Sequence, residues 1–151
     1  MKTPEIIILS GIPCSGKTTY RHPLEEEGYW VICRDDIRDM YWGRDYKYNR
    51  DNENKVTEIS NKSFFTAIRN NLDIIIDATH CKEVYIQEWI KRKPSNYNLK
   101  VVFFDIPLWK AYIRNVLRWL NMGKWIPFQV IRDMKKNYDR IDKSKYQNLH
   151  L

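Results

Sequence analysis

Residues 6–18 read IIILSGIPCSGKT. An apolar run of Ile and Leu ends in two glycines that bracket a short loop, and TTYRHPLEEE follows with helical character. The segment Gly11-Ile12-Pro13-Cys14-Ser15-Gly16-Lys17-Thr18 fits the pattern G-x-x-x-x-G-K-[ST]. Glycines let successive backbone N–H groups curl around an anion, and the helix that follows adds its positive end. In this pattern Lys17 reaches the β- and γ-phosphates of a nucleoside triphosphate, and the Thr18 hydroxyl binds Mg²⁺. Gly11, Pro13, Cys14, Ser15, Gly16, Lys17, Thr18 and Thr19 are therefore the expected nucleotide-binding set. Binding follows from this loop; the reaction does not.

Working outward, three further apolar runs stand at Tyr29–Cys33, Ile74–Ile76 and Val101–Phe104. Their Ile, Val and Phe content suits strands buried on both faces. Helical patterns separate them: Lys17–Glu27, disturbed at Pro23; a stripe of Val56, Ile59, Ser63, Phe64, Ala67 and Ile68; and Glu83–Lys93. Leu108–Leu120 is strongly periodic, with Trp109, Tyr112, Ile113, Val116, Leu117 and Leu120 on one side. Phe128–Ile141 repeats the pattern, with Pro127 suited to its first turn. Alternating strands and helices imply an α/β fold: a mainly four-stranded parallel sheet sandwiched by helices, here one domain spanning 1–151. Ligands in such sheets bind where the strands end. The stretches to examine are thus the glycine loop, RDDIR, DATH and DIP.

Composition narrows the classes. The chain has 151 residues and a net charge of +7. Residues 1–107 hold 16 basic and 16 acidic side chains; residues 108–151 hold 10 and 3, so the excess lies at one end. A one-sided basic surface favours a polyanionic partner. No stretch approaches the length of a membrane span, and the N-terminus lacks a signal peptide's apolar region. Three cysteines without metal-ligand spacing suit a reducing compartment, so a cytoplasmic protein is expected.

At the second strand edge, Arg34-Asp35-Asp36-Ile37-Arg38 sets a carboxylate and a guanidinium three residues apart. If a helix starts near Asp36, Asp35 caps it and Arg38 shares its face. Such a carboxylate can take a proton from an attacking hydroxyl, and the Arg can grip a phosphate. A surface cap and its ion-pair partner is the plainer reading. Asp77, after the third strand, can hold Mg²⁺ or its waters opposite Thr18, or organise the loop by hydrogen bonds. Thr79 is placed to touch substrate; His80 is more simply structural. Lys110, Arg114 and Arg118 form a basic row along one helix. Tyr41, Trp42, Arg44, Tyr46, Lys47, Tyr48 and Arg50 interleave aromatics with cations, as a single-strand binding surface does.

These residues resemble the kinase domain of bacteriophage polynucleotide 5'-hydroxyl kinase, within the P-loop kinase superfamily. The likeness runs through G-x-P-x-S-G-K-[ST], RDD-x-R, Arg44-Asp45-Tyr46-Lys47-Tyr48, Asp77-Ala78-Thr79, Phe104-Asp105-Ile106-Pro107, Arg114-Asn115-x-x-Arg118 and Pro127. The resemblance implies transfer of the γ-phosphate of ATP, with Mg²⁺, to a 5'-OH end of DNA or RNA. It implies Lys17, Asp35, Arg38 and Arg118 as catalytic residues, Asp35 being the general base. Arg38 then holds the phosphate 3' of the acceptor nucleoside, and Arg118, with Arg114 beside it, contacts the donor phosphates. Between Arg118 and Pro127 the chain is several residues longer than the pattern, so Lys124 is a further lid candidate. The D-x-D-x-T motif of the phage enzyme's phosphatase half does not occur, so phosphorylation without 3'-phosphate removal is expected. Two alternatives stand beside this reading. One is a P-loop kinase acting on a nucleoside or nucleotide, a small metabolite or a hydroxyl of a modified DNA base. The other is a nucleic-acid-stimulated ATPase or nucleotide-dependent binding module.

Overall fold

Every apolar run becomes a strand. The structure, a computed structural model, describes residues 3–146. In chain order it runs β1 (Glu5–Gly11), α1 (Lys17–Glu26), β2 (Trp30–Cys33), α2 (Arg34–Trp42), α3 (Arg50–Arg69), β3 (Ile74–Asp77), α4 (Glu83–Arg92), β4 (Asn98–Phe104), α5 (Leu108–Met122) and α6 (Phe128–Asp139). The sheet order is β2-β3-β1-β4, and all pairs are parallel. Register places Leu9 of β1 and Cys33 of β2 on either side of Asp77. The C-terminal ends of the strands therefore share one edge.

Alternation along β1 sorts the core into two layers. Ile6 and Ile8 pack with Phe64 and Ala67 of α3, Ile86 of α4, Ala111 of α5, and Ile131 and Tyr138 of α6. Ile7 and Leu9 face the opposite way, with Ile75, towards Tyr20 and Leu24 of α1. Helix α1 stays continuous through Pro23, and α6 begins directly after Pro127, its N-cap. No helix among the described residues is long and apolar enough to cross a membrane.

One expectation is corrected. Helix α2 starts at Arg34, with Cys33 at the N-cap position, so Asp35 and Asp36 lie inside the first turn and neither caps it. There they face the positive end of the helix, which favours carboxylates. Of the apolar side of α5, Tyr112 packs against the core and most of the rest is open. Trp109, Ile113, Leu117 and Leu120 are more than half exposed, while Ala111 and Asn115 are the buried residues. Ala111 packs into the core cluster where α5 lies against α6, and Asn115 is satisfied by donating to the Ile126 carbonyl and accepting from the Ile126 N–H. Periodicity identified a coherent face but not what covers it.

Candidate active site

The loop between β1 and α1 is shaped by backbone. Gly16 takes φ 105° at the N-cap of α1, a region that favours glycine. Cys14 also has positive φ, at 63°. Gly11 allows a close approach: a Cβ there would lie 2.6 Å from Ser15 Oγ and 2.9 Å from Phe104 Cβ. Its N–H donates to the Thr79 carbonyl, tying the end of β1 to the loop after β3. Lys17 folds back over the loop, its Nζ donating to the carbonyls of Gly11 at 2.7 Å and Ile12 at 2.9 Å. Burial lowers the Lys17 pKa, opposed by the negative charge of Asp77.

Asp77 is buried at the end of β3, and its pKa is raised by burial against the attraction of Lys17 and Arg21. Arg21 Nη1 donates to Asp77 Oδ2 at 3.0 Å and meets Asp36 Oδ2 at 2.9 Å. Arg21 is itself buried. One guanidinium thus joins the loop helix α1, the end of β3 and the first turn of α2. Sequence reading assigned Arg21 nothing, because its partners lie 15 and 56 residues away, too far for any local spacing to signal.

At the second edge, Arg38 Nη1 donates to Asp35 Oδ1 at 2.7 Å. The organising group is Glu53, in the first turn of α3. It accepts from Arg38 Nε at 2.9 Å, Arg38 Nη2 at 2.8 Å and Arg34 Nη2 at 2.8 Å, and from the Tyr46 hydroxyl. Burial alone would raise its pKa, but the bonds from Arg38, Tyr46 and Arg34 hold it down to about 2. Such a bidentate clamp fixes a guanidinium plane. Glu53 and Arg34 were both missed as site residues; only the apposition of α2 and α3 brings them together. Trp42 packs on Tyr46, while Tyr41 and Tyr48 are exposed. The interleaved aromatic stretch therefore divides between packing and surface.

Both edges open into one cleft of about 1760 Å³ that also contains Thr18, Thr19, Asp77 and Thr79. Helix α5 closes it from above. Arg114 Nη1 donates to the Cys14 carbonyl at 3.0 Å, and Arg118 lines the cleft one turn on. Lys110 is exposed, so the basic row splits. Lys124, in the loop after α5, pairs with Asp39 of α2 and so joins the lid to the second edge. His80 is structural. Its Nδ1 contacts the Leu9 carbonyl at 2.8 Å, and its Nε2 accepts from the Trp89 indole N–H at 3.0 Å, which fixes the tautomer with the proton on Nδ1. Complete burial lowers its pKa to about 4.

The donor set fits a hydrated Mg²⁺ rather than an all-protein cage. No cluster of three or more His, Cys, Asp or Glu able to hold a metal lies among the described residues. Thr18 offers one hydroxyl, and Asp77 keeps Oδ1 without a bond to another described residue. Mg²⁺ in phosphate sites takes few protein ligands and keeps several waters.

This arrangement defines a class: a P-loop kinase fold, which binds nucleotides on the loop after its first strand. The chain belongs to the AAA domain family, whose model matches residues 6–141. It is similar to a chain of the Pnkp1/Rnl/Hen1 RNA repair complex, with 26% identity and a TM-score of 0.85 over 97% of this chain and 47% of that one. A second structure of the Pnkp1/Rnl/Hen1 complex matches with 28% identity and a TM-score of 0.66, over 76% of this chain and 40% of that one. The chain thus spans less than half the length of those two. A gluconokinase from Sinorhizobium meliloti 1021, 17% identical with a TM-score of 0.54 over 99% of this chain and 81% of that one, shares the fold alone. No curated protein matches the sequence. The resemblance read from the sequence holds at the level of the domain: a P-loop kinase domain similar to polynucleotide kinase.

Proposed function

We propose that the protein is an ATP-dependent polynucleotide kinase that transfers the γ-phosphate to the 5'-OH end of DNA or RNA. The observation that carries this reading is the Asp35–Arg38 pair at 2.7 Å, in the same cleft as Lys17. A carboxylate beside a phosphate-binding guanidinium suits an acceptor that has both a hydroxyl and a neighbouring phosphate, as a strand end does. The excess of basic residues in 108–151 supports a polyanionic acceptor.

In this reading the triphosphate lies on the loop, and Lys17 exchanges its two carbonyl partners for phosphate oxygens. Thr18 and Asp77 would hold Mg²⁺ or its waters, and the ion would supply charge neutralisation for the phosphates. Arg114 and Arg118 approach the same oxygens from α5. Asp35 takes the proton of the 5'-hydroxyl as that oxygen attacks in line, and the nucleoside diphosphate leaves. Arg38, held flat by Glu53, grips the phosphate on the 3' side of the acceptor nucleoside, and Thr79 lines its path. Exposed Tyr41 and Tyr48 offer faces for bases further along the strand.

The test is label transfer from γ-labelled ATP to 5'-OH oligonucleotides, mononucleotides or water. Labelled oligonucleotide is the expected product. Label confined to mononucleotides or to free phosphate overturns the reading in favour of a small-acceptor kinase or an ATPase.

A further inference from the structure

The cleft uses one side of α5, through Arg114 and Arg118, and the core uses another, through Ala111 and Asn115. A third side is left open. It carries Trp109, Ile113, Val116 and Leu120, which are 63%, 53%, 36% and 65% exposed, with Leu117 beside them at 52%. Scattered apolar residues on a surface are ordinary, but a continuous row along one helix marks an interaction face. The steps from 109 to 113, 116 and 120 are four, three and four, the seam spacing of a coiled coil.

We propose that this face is a homodimer interface in which α5 packs antiparallel on α5 of a second copy. The row is self-complementary in that arrangement. A two-fold axis between residues 114 and 115 sets Trp109 against Leu120 of the partner subunit and Ile113 against Val116 of the partner subunit. The flanks also match. Antiparallel pairing brings each flank against its own kind. Lys110 therefore lies by Leu117 of the partner subunit, while on the other flank Tyr112 and Trp119 pack on Phe128 and Trp125 of their own chain. No like charges meet, and the Lys110 stem covers apolar surface while its ammonium stays in water. Charge does not select a different partner, because Arg114 is directed to the Cys14 carbonyl and Lys124 to Asp39. Area suffices as well. The five side chains leave roughly 500 Å² open per copy, so pairing buries about 1,000 Å² in total, the size at which specific interfaces begin. The cleft opens on a different side of α5, so both sites stay accessible.

Sedimentation equilibrium of the full chain is expected to show a monomer–dimer equilibrium at micromolar concentration. Ile113→Glu and Val116→Glu are each expected to weaken it by roughly a hundredfold, because each buries an unpaired charge. Circular dichroism and nucleotide binding should be unchanged, since neither side chain touches the core or the cleft. For the register, chains carrying Ile113→Cys are mixed with chains carrying Val116→Cys under mild oxidation. The mixed disulfide is expected to form faster than either symmetric one. A monomer at every concentration overturns the proposal, and so does a dimer that Ile113→Glu leaves intact. Sedimentation of the wild-type monomer with anionic phosphatidylserine vesicles would likewise overturn it and assign the face to lipid. Faster symmetric cross-linking overturns the antiparallel register. None of these outcomes depends on phosphoryl transfer.

Discussion

The two halves of the cleft are made of different materials. The donor half is backbone: glycines, a helix end and carbonyls that hold Lys17 in place. The proposed acceptor half is side chains: Arg38, Arg34 and Tyr46, drawn together by Glu53 from another helix, with Asp35 bonded to Arg38. A backbone site depends on a few local residues in fixed order. A side-chain site depends on how two helices meet. The first tolerates most substitutions outside its glycines, Lys17 and Thr18; the second fails when one anchor is removed.

The comparison breaks most sharply at Asp35. Asp35→Asn is expected to reduce transfer about 10³-fold while nucleotide binding stays nearly intact. Single-turnover transfer alongside a nucleotide titration checks both halves. Near-normal turnover would remove Asp35 as the base.

Arg21 joins the halves, and Arg21→Met leaves Asp77 buried without its guanidinium. Loss of about 3 kcal/mol of stability is expected in chemical denaturation, the scale for breaking a buried pair. An unchanged midpoint would mean the halves are held together elsewhere.

His80 tests the floor beneath the donor half. Its folded pKa of about 4 lies below the ordinary 6.5, so the unfolded chain binds the proton more readily. Its contribution is fully present above pH 6.5 and is lost as pH falls towards 4, amounting to about 3 kcal/mol. Denaturation midpoints over that window should fall in the wild type and flatten in His80→Gln. Glu53, held down to about 2, gives up its contribution only as pH falls below its ordinary 4.5, so the window above that value reads His80 without it.

The smallest effects sharpen the acceptor half. Glu53→Ala is expected to raise the acceptor KM by roughly 10- to 100-fold through a mobile Arg38, with the ATP KM unmoved. Arg38→Ala should cost about tenfold more on acceptors with a 3'-phosphate than on those without. Equal loss on both would count against the register of the acceptor.

The contrast also explains what could be read from sequence. The loop, the four strands and the Asp35–Arg38 spacing are local patterns, and the structure reproduces them as a loop, a sheet and a bonded pair. Glu53 lies 15 residues from Arg38 with a turn and another helix start between, so no spacing rule connects them. Arg21 is more remote still from Asp77, 56 residues away. The open face of α5 is visible in the sequence as a stripe, but its exposure is not. A stripe records that something apolar covers the helix; it does not say whether that cover belongs to the same chain.

The folded-back Lys17 has a consequence for the heat of nucleotide binding. Its half-buried ammonium sits where desolvation lowers its affinity for a proton. Phosphate oxygens beside it restore that affinity. At alkaline pH, loading the loop should therefore draw protons from solution. Calorimetry in buffers of different ionisation enthalpy is expected to give different apparent heats for the same affinity, and Lys17→Met should remove the difference. The loop would then act as a proton acceptor before any phosphoryl group moves.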